Sequence, residues 1–293
     1  MPELPEVETT RRGLSKSMVG RRVDKLELLR PDLRFPFEAG LRERIEGKTI
    51  DSIGRRAKYL LFRLSGGDTL VAHLGMSGSF RVEEATSAAS TASLYRTVPR
   101  LDRHDHVVFH LPDDVRVVYN DPRRFGFMFI VEAGGMELHP RMRGIGLEPL
   151  EPPLSGPDLI AALSGATAPL KAALLDQSRI AGLGNIYVCE ALHRSGLSPR
   201  RSAATLSLPT REARAASTRL AAAIRATLDE AIEAGGSTLR DFSGADGKPG
   251  YFQHSFRVYD REGAACPRKG CDGSIVREAQ GGRSTFFCPS CQR

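Results

Sequence analysis

The sequence lacks any apolar run long enough to span a membrane, since none approaches the ~20 residues that a spanning helix requires. Its acid-rich opening, MPELPEVE, also lacks the basic and apolar regions of a secretion signal. No long internal repeat is present. These absences argue against membrane insertion and against secretion, so we expect a globular, cytoplasmic protein without a membrane partner.

Cysteine is scarce, and four of the five cysteines lie between Cys266 and Cys291. In a reducing compartment this clustering indicates metal binding rather than disulfides. The tail reads CPRKGC and then, after sixteen residues, CPSC, which forms two thiolate pairs able to converge on one tetrahedral zinc. We therefore predict a zinc ribbon held by Cys266, Cys271, Cys288 and Cys291, with a closed and purely structural site. Cys189 stands apart, and we expect a small buried apolar residue there.

Acidic residues are outnumbered, because 42 Lys and Arg against 35 Asp and Glu give a formal net charge of +7. This balance favours a polyanionic partner, with nucleic acid first and an anionic membrane surface second. At 293 residues, of which 41% are hydrophobic, the chain is long enough for two or three domains with real cores.

The hydrophobic pattern changes along the chain. A helix is predicted over Leu4–Met18, followed by strand-like stretches separated by Gly, Pro and Asp turns. The proline-dense segment 148–157 is read as a linker, and the stretches after it have helical spacing. The predicted domains are a β-rich region over 1–150, a helical region over 151–236, and a loop with the cysteine module over 237–293.

Two clusters of the β-rich region combine glycine turns with side chains suited to nucleic acid. NDPRRFGFMF places Arg123 and Phe125 on a tight turn, and HLGMSGS places His73 and Met76 among glycines. Basic residues beside an aromatic suit insertion into a duplex, where an apolar ring replaces stacking lost from a displaced base. The alternatives are a core phenylalanine beside surface arginines and a buried histidine packed by methionine.

Three further residues each permit a functional and a plain interpretation. Lys58, in GRRAKYLLF, is either directed into a cleft or solvated. Asn185 follows the glycines of GLGN at a helix start, whose free backbone N–H groups either hold a phosphate or are capped in the ordinary way. Arg283 lies at the tip of the predicted ribbon, where a phosphate is a natural partner, although exposed arginines are common on turns.

The opening PELPEVE raises the question of why proline stands second, where it becomes the terminus once Met1 is removed. One answer is helix chemistry, since Pro5 fits the first helical position. The glutamates around it complement the helix macrodipole by roughly 0.3 to 1 kcal/mol each.

The order of these clusters is more specific than any one of them. PELPEVE, GRRAKYLL, HLGMSGS, DPRRFG, GLGNIY, GADGKPGYF and the four-cysteine ribbon follow one another as they do in formamidopyrimidine-DNA glycosylases, and the chain resembles this bacterial family over essentially its whole length. The resemblance implies a monomeric base excision repair enzyme that removes oxidised purines, such as 8-oxoguanine and formamidopyrimidines, from duplex DNA. The implied fold is α+β and multidomain: a two-layer β-sandwich with flanking helices, a helix-two-turns-helix domain and a zinc ribbon.

The resemblance also implies catalytic roles. Pro2 would be the nucleophile that forms a Schiff base with the sugar, and Glu3 would be the acid and base beside it. An α-amine suits this task, because its reference pKa near 7.7 to 8.0 leaves roughly a tenth of it neutral at pH 7. Lys58 would assist proton transfer, and Arg283 would hold a phosphate during β,δ-elimination.

The resemblance also implies which residues contact DNA. Residues implied to fill the space of the extruded base are Met76, Arg123 and Phe125, and those implied to contact the backbone are His73, His104 and Asn185. The loop GADGKPGYF would cover the extruded base.

This chain departs from the family pattern in three places. They are a C-x4-C first cysteine pair, a longer Ala- and Ser-rich insertion over 83–103, and an APLK segment without a basic run.

Two other functions stay open on the sequence. An endonuclease VIII type enzyme would share the fold and nucleophile but prefer oxidised pyrimidines. Leu4, where a glycine would stand in the rival, and the set of Met76, Arg123 and Phe125 favour the purine enzyme. A noncatalytic zinc protein that binds damaged DNA would be expected to lack Pro2 or Glu3, and both are present.

Overall fold

The computed structural model describes residues 2–83, 102–237 and 250–293. Contacts within it divide the chain into two units, the first built mainly from Glu6–Arg143 and the second mainly from Gly144–Gly236 and Tyr251–Arg293. The second unit also includes Glu3–Pro5. The domain boundaries drawn from the sequence at residues 150 and 236 stay predictions. Most of the 83–103 insertion, most of GADGKPGYF and Met1 lie outside the described residues.

The described residues of the first region form a fifteen-residue helix, a short second helix and eight strands. In chain order they are α1 (Leu4–Met18), β1 (Lys25–Leu28), α2 (Leu41–Ile45), β2 (Ile50–Arg56), β3 (Tyr59–Leu64), β4 (Thr69–His73), β5 (Ser79–Glu83), β6 (Asp105–Leu111), β7 (Val115–Asn120) and β8 (Phe127–Val131). The prediction of a helix over Leu4–Met18 is confirmed. The strands form two antiparallel four-stranded sheets, in the orders β1-β6-β7-β5 and β2-β3-β4-β8.

The two sheets enclose one apolar core, as a β-sandwich requires. Strand β3 alternates buried with more exposed side chains, β2 buries only Ile50 and Ile53, and β4 and β8 are buried on almost every position. Aromatic rings fill the centre, and those of Phe62 and Phe109 stack with centroids 6.3 Å apart. The cross-strand register pairs His73 with both Tyr59 and Phe127, which places this histidine at the end of the second sheet between two rings.

The second unit is mainly helical and ends in a β-ribbon. Its elements are α3 (Gly156–Leu163), α4 (Leu170–Leu175), α5 (Asn185–Ser195), α6 (Arg211–Glu233), β9 (Val276–Gln280) and β10 (Arg283–Phe287). Helix α3 begins at a capping box between Ser155 and Asp158, and Thr210 caps α6. These caps explain why the helical spacing in the sequence begins where it does.

Buried leucine, isoleucine and alanine side chains from all four helices form the core of this unit. A smaller cluster under the ribbon contains Cys189, Val258, Ile275 and Phe286. Cys189 is 1% exposed, as the sequence predicts. Within the described ranges, no helix combines the length and the apolar character that crossing a membrane demands.

Candidate functional site

Glu3 is held against the beginning of helix α5 in the second unit. Its carboxylate is 3% exposed, and Oε1 accepts the Ile186 N–H at 3.2 Å. A Cβ on Gly184 would lie 2.1 Å from the carboxyl carbon of Glu3, so only glycine leaves room for this approach. The helix macrodipole favours a negative charge at this position. This N–H therefore binds a protein carboxylate, where the GLGN sequence left both a phosphate and an ordinary cap open as its partner.

The neighbouring glutamates have specific partners, which the helix-dipole interpretation did not anticipate. Within the first unit, the Glu6 carboxylate accepts hydrogen bonds from the backbone N–H and the hydroxyl of Ser237, at 2.8 and 3.1 Å. Glu8 accepts hydrogen bonds from Arg11 and from Arg55, which belongs to the GRRAKYLL motif. Both glutamates therefore tie the N-terminal helix to segments far away in the sequence.

Asn185 and a buried lysine fix the ribbon strand that carries Arg283. The Asn185 amide nitrogen donates to the Ser284 carbonyl at 2.9 Å. Lys171 is 1% exposed and donates to the same carbonyl at 3.1 Å and to the Thr285 hydroxyl at 2.7 Å. Burial lowers the pKa of Lys171. Arg283 itself is exposed at the start of β10, so its guanidinium extends from a strand that two hydrogen bonds to the Ser284 carbonyl and one to the Thr285 hydroxyl hold in place.

His73 is a neutral hydrogen-bond donor at pH 7. Its Nδ1 accepts the Gly75 N–H at 3.0 Å, which leaves the proton of the neutral ring on Nε2. Burial, with the nearby charges of Lys58 and Arg34, lowers the pKa of His73 to about 4. The ring stacks on Phe127 at a centroid distance of 5.0 Å. Such a group can donate to a phosphate oxygen without itself carrying charge.

A cleft of about 530 Å³ lies beside His73 in the first unit. Its lining residues share basic or apolar character and are Leu33, Arg34, His73, Gly75, Met76, Arg123, Arg124 and Phe125. Met76 and Phe125 are 37% and 42% exposed, which is unusual for large apolar side chains near a basic surface. The Arg123 guanidinium lies over the Phe125 ring at 4.9 Å, a cation–π distance. The two sequence clusters therefore meet at one surface.

Asp121 and a close backbone contact join the two loops of this cleft. The buried Asp121 carboxylate accepts the Ser77 hydroxyl at 2.6 Å and the Gly126 N–H at 2.8 Å. At Gly75, whose φ is +64°, an added Cβ would lie 2.3 Å from the Gly126 nitrogen. The glycines of HLGMSGS and DPRRFG thus allow the loops to touch, and the buried charge locks them together.

The four predicted zinc ligands converge. Their Sγ atoms all lie within 4.8 Å of one another, with 3.7 Å between Cys266 and Cys291 and 3.6 Å between Cys271 and Cys288. Zinc–sulfur bonds of about 2.3 Å in a tetrahedron require sulfurs about 3.8 Å apart, so the thiolates fit one zinc. These separations are far too long for disulfides. The C-x4-C spacing does not prevent convergence.

Comparison with known proteins agrees with both the fold and these motifs. Residues 1–128 match the model of the formamidopyrimidine-DNA glycosylase N-terminal domain, residues 145–243 match that of its H2TH domain, and residues 263–293 match the zinc finger found in FPG and IleRS. The chain belongs to the formamidopyrimidine-DNA glycosylase family. The family's β-sandwich, H2TH domain and zinc finger confirm the predicted fold class, and the zinc finger confirms one structural zinc.

Full-length relatives and solved structures lead to the same family. Formamidopyrimidine-DNA glycosylases of Chelativorans sp. (strain BNC1) and Beijerinckia indica are each 56% identical, over all of both chains. A Lactococcus lactis family member solved with Fapy-dG containing DNA matches with a TM-score of 0.84 at 32% identity, covering 100% of both chains. The Thermus thermophilus protein matches with a TM-score of 0.80 at 39% identity, covering 99% of this chain and 98% of that one.

Sequence reasoning about this family member missed Lys171 and Asp121. Lys171 was noted only as part of an APLK segment poor in basic residues, although a lone lysine within the apolar helix LKAALL was a usable signal. Asp121 opens the DPRRFG motif, and an aspartate at the start of a turn gives no signal in the sequence that its side chain is buried. The His104 ring accepts a hydrogen bond from Arg103 and its carbonyl accepts the Asp121 N–H, while its predicted contact with DNA stays a prediction.

Proposed function

We propose that this member of the formamidopyrimidine-DNA glycosylase family is a bifunctional glycosylase and AP lyase that removes oxidised purines from duplex DNA. The observation that carries the proposal is the Glu3 carboxylate, buried and hydrogen-bonded to the first turn of α5 immediately after Pro2. A buried carboxylate beside a terminal secondary amine supplies both a nucleophile and a proton donor for chemistry on a sugar.

The first step is attack by the Pro2 nitrogen on C1′ of the damaged nucleotide, after removal of Met1. The N–C1′ bond forms while the glycosidic bond breaks, and the base leaves with the bonding electron pair and a proton, which balances the proton that the Pro2 nitrogen loses. Glu3 protonates O4′ as the sugar ring opens, which leaves an iminium between Pro2 and C1′. The α-amine is suited to this step because roughly a tenth of it is neutral at pH 7 at its reference pKa.

Two eliminations follow from the iminium. Loss of a proton from C2′ breaks the bond from carbon to the 3′ oxygen, and a second proton loss breaks the bond to the 5′ oxygen. Lys58, in the turn between β2 and β3, assists these proton transfers, and Arg283 holds the phosphate that departs last. Hydrolysis of the remaining iminium by water releases Pro2 and the sugar remnant as an aldehyde, and leaves a one-nucleoside gap.

The base must leave the stack before this chemistry, at a cost of a few kcal/mol. Met76, Arg123 and Phe125 fill the vacated space, a role supported by their exposed apolar surfaces and the cation–π contact. His73, His104 and Asn185 contact the DNA backbone. The lining of the cleft, with three arginines, suits a polyanion.

The zinc finger has a structural role in this proposal. Zinc, held by the four cysteines, supplies folding energy to a module too small for a core of its own. A closed four-thiolate site leaves the chemistry to Pro2 and Glu3. We further infer that the enzyme acts as a cytoplasmic monomer on nucleoid DNA and has no membrane partner.

The test is borohydride trapping on a duplex with one 8-oxoguanine opposite cytosine, followed by mass spectrometry of the adduct. We expect a crosslink on Pro2 and none in the Pro2→Gly variant. Glu3→Gln should bind the duplex but release little base, and Pro5→Ala, which changes a proline of the same helix, should keep both activities. Unimpaired base release by P2G and E3Q together would overturn the mechanism.

A parallel duplex with thymine glycol separates the purine enzyme from the pyrimidine alternative. This comparison is warranted because one structural neighbour, a Lactococcus lactis family member, was solved with oxidised-pyrimidine DNA. We expect faster base release from 8-oxoguanine. Faster release from thymine glycol would reverse the assignment of substrate and leave the nucleophile unchanged.

A further inference from the structure

His193, in the last turn of α5, contacts the zinc site without being one of its four ligands. Its side chain is 1% exposed, and Nε2 lies 3.4 Å from the sulfur of Cys266. Both residues belong to the second unit. The histidine therefore reaches the metal centre from the helical domain rather than from the ribbon.

The chemistry of a zinc thiolate fixes the direction of this hydrogen bond. A zinc-bound cysteine has lost its proton and can only accept, so the histidine must donate from Nε2. The other ring nitrogen, Nδ1, is buried and has no hydrogen-bond partner among the described residues. A neutral ring with its proton on Nε2 donates to the Cys266 sulfur and carries no proton on Nδ1. No buried N–H is then left without an acceptor.

The zinc site has a need for such a donor. Four thiolates around Zn²⁺ carry a formal net charge of −2, which is costly to bury without hydrogen bonds. Backbone N–H groups supply some of them, from Ser290 and Cys291 to Cys288 and from Arg268 to Cys266. His193 adds a side-chain donor from outside the ribbon.

The C-x4-C insertion reinforces the same contact. Arg268, between the first two cysteines, donates to the backbone carbonyls of His193 and Arg194 at the end of α5. On the second knuckle, Gln292 accepts the Cys288 N–H at 2.8 Å and donates to the Leu197 carbonyl at 2.9 Å. Both knuckles are thereby docked on the end of one helix.

We propose that His193 is a positioning residue for the zinc site, donating a hydrogen bond from Nε2 to the Cys266 thiolate and coupling metal retention to helix α5. Donors to metal ligands of this kind typically change metal affinity by about 10- to 100-fold. The role is independent of the reaction proposed above, since it concerns the metal and the helix alone.

A matched pair of substitutions tests the donor. In His193→Gln the amide nitrogen occupies the place of Nε2, whereas in His193→Asn it occupies the place of Nδ1 and cannot reach the sulfur. Zinc affinity of the full chain is measured by competition with a chromogenic chelator. We expect affinity to fall about 10- to 100-fold in H193N and by less than about threefold in H193Q. Equal affinities in both variants would overturn the proposal.

A cobalt-substituted protein distinguishes the hydrogen bond from a merely structural effect. A thiolate that loses a donor becomes a better electron donor, so the sulfur-to-cobalt charge-transfer band should move to lower energy in H193N. It should stay in place in H193Q and in Leu192→Val, which disturbs the packing of the neighbouring core residue without touching a thiol. A shift in L192V as large as that in H193N, or no shift in H193N, would show that His193 only packs.

Discussion

At the scale of single residues, close approach decides what the N-terminal glutamate can do. Gly184 precedes α5, and its missing side chain is the space that the Glu3 carboxyl group occupies. The carboxylate accepts a backbone hydrogen bond from Ile186 and fills the space beside Gly184. A residue with no functional group of its own therefore positions a proposed catalytic one.

Substitution of Gly184 by Ala should displace that carboxylate. The added Cβ would lie 2.1 Å from the Glu3 carboxyl carbon, and a misplacement of about 1 Å can cost on the order of 100-fold in rate. We expect single-turnover base release to fall by about that factor, with DNA binding retained. Gly54→Ala is the control, because its Cβ would meet Leu61 at an ordinary 3.8 Å. Equal rates for the two variants would contradict the positioning role.

His73 gives stability a dependence on pH. Its pKa is about 4 in the folded protein and about 6.5 in an unfolded chain, so below pH 6.5 the unfolded state binds the extra proton. The stabilisation is present above pH 6.5 and lost as pH falls toward 4, by about 3 kcal/mol at most. The free energy of unfolding of His73→Gln, measured by denaturant titration, should fall less steeply over this range. His254→Gln, at an exposed site, should follow the wild type.

At the scale of elements, the sequence pattern located strands and helices better than the turns between them. The strand-like run KTIDSIGRRAKYLLFRL forms β2 and β3, joined by a tight turn at Ala57, whose φ is +54°, and Lys58. Apolar alternation marked the strands. Nothing in the alternation marked the left-handed turn that buries Lys58, because that conformation depends on the pairing of the two strands.

The contact between α4 and the ribbon should matter for the last elimination. Lys171→Met keeps the length of the side chain but removes the hydrogen bonds to Ser284 and Thr285. Arg283 is the first residue of that strand, so a looser strand should misplace its guanidinium. We expect the fraction of product that completes δ-elimination to fall roughly tenfold, which corresponds to the loss of one charged hydrogen bond. Denaturing gels separate the β and δ products. Lys16→Met, at an exposed site on α1, serves as the control, and an unchanged product ratio in K171M would remove this role.

At the scale of the whole molecule, the formal charge of +7 predicts that DNA binding depends on salt. Each phosphate neutralised should add about 0.9 to the slope of log affinity against log salt concentration. Arg283→Gln, on the exposed ribbon turn, should reduce that slope by about one unit, as measured by fluorescence anisotropy. An affinity that does not change with ionic strength would contradict phosphate contacts altogether.

The sequence by itself determined the local chemistry of this protein. Cysteine spacing predicted the zinc ligands, hydrophobic period with Gly, Pro and Asp turns predicted the elements, and the order of seven short motifs identified the family, each confirmed by the fold or by the relatives. These features depend on neighbours within a few turns of chain. Sequence spacing is enough to specify them.

Only the tertiary structure decided which distant residues meet. The burial of Lys171 against the ribbon, the space that Gly184 leaves for Glu3 and the contact of His193 with Cys266 all join segments far apart in the chain. Such contacts arise because side chains from distant segments pack densely in the core. Spacing along the sequence does not show which distant segments pack against each other.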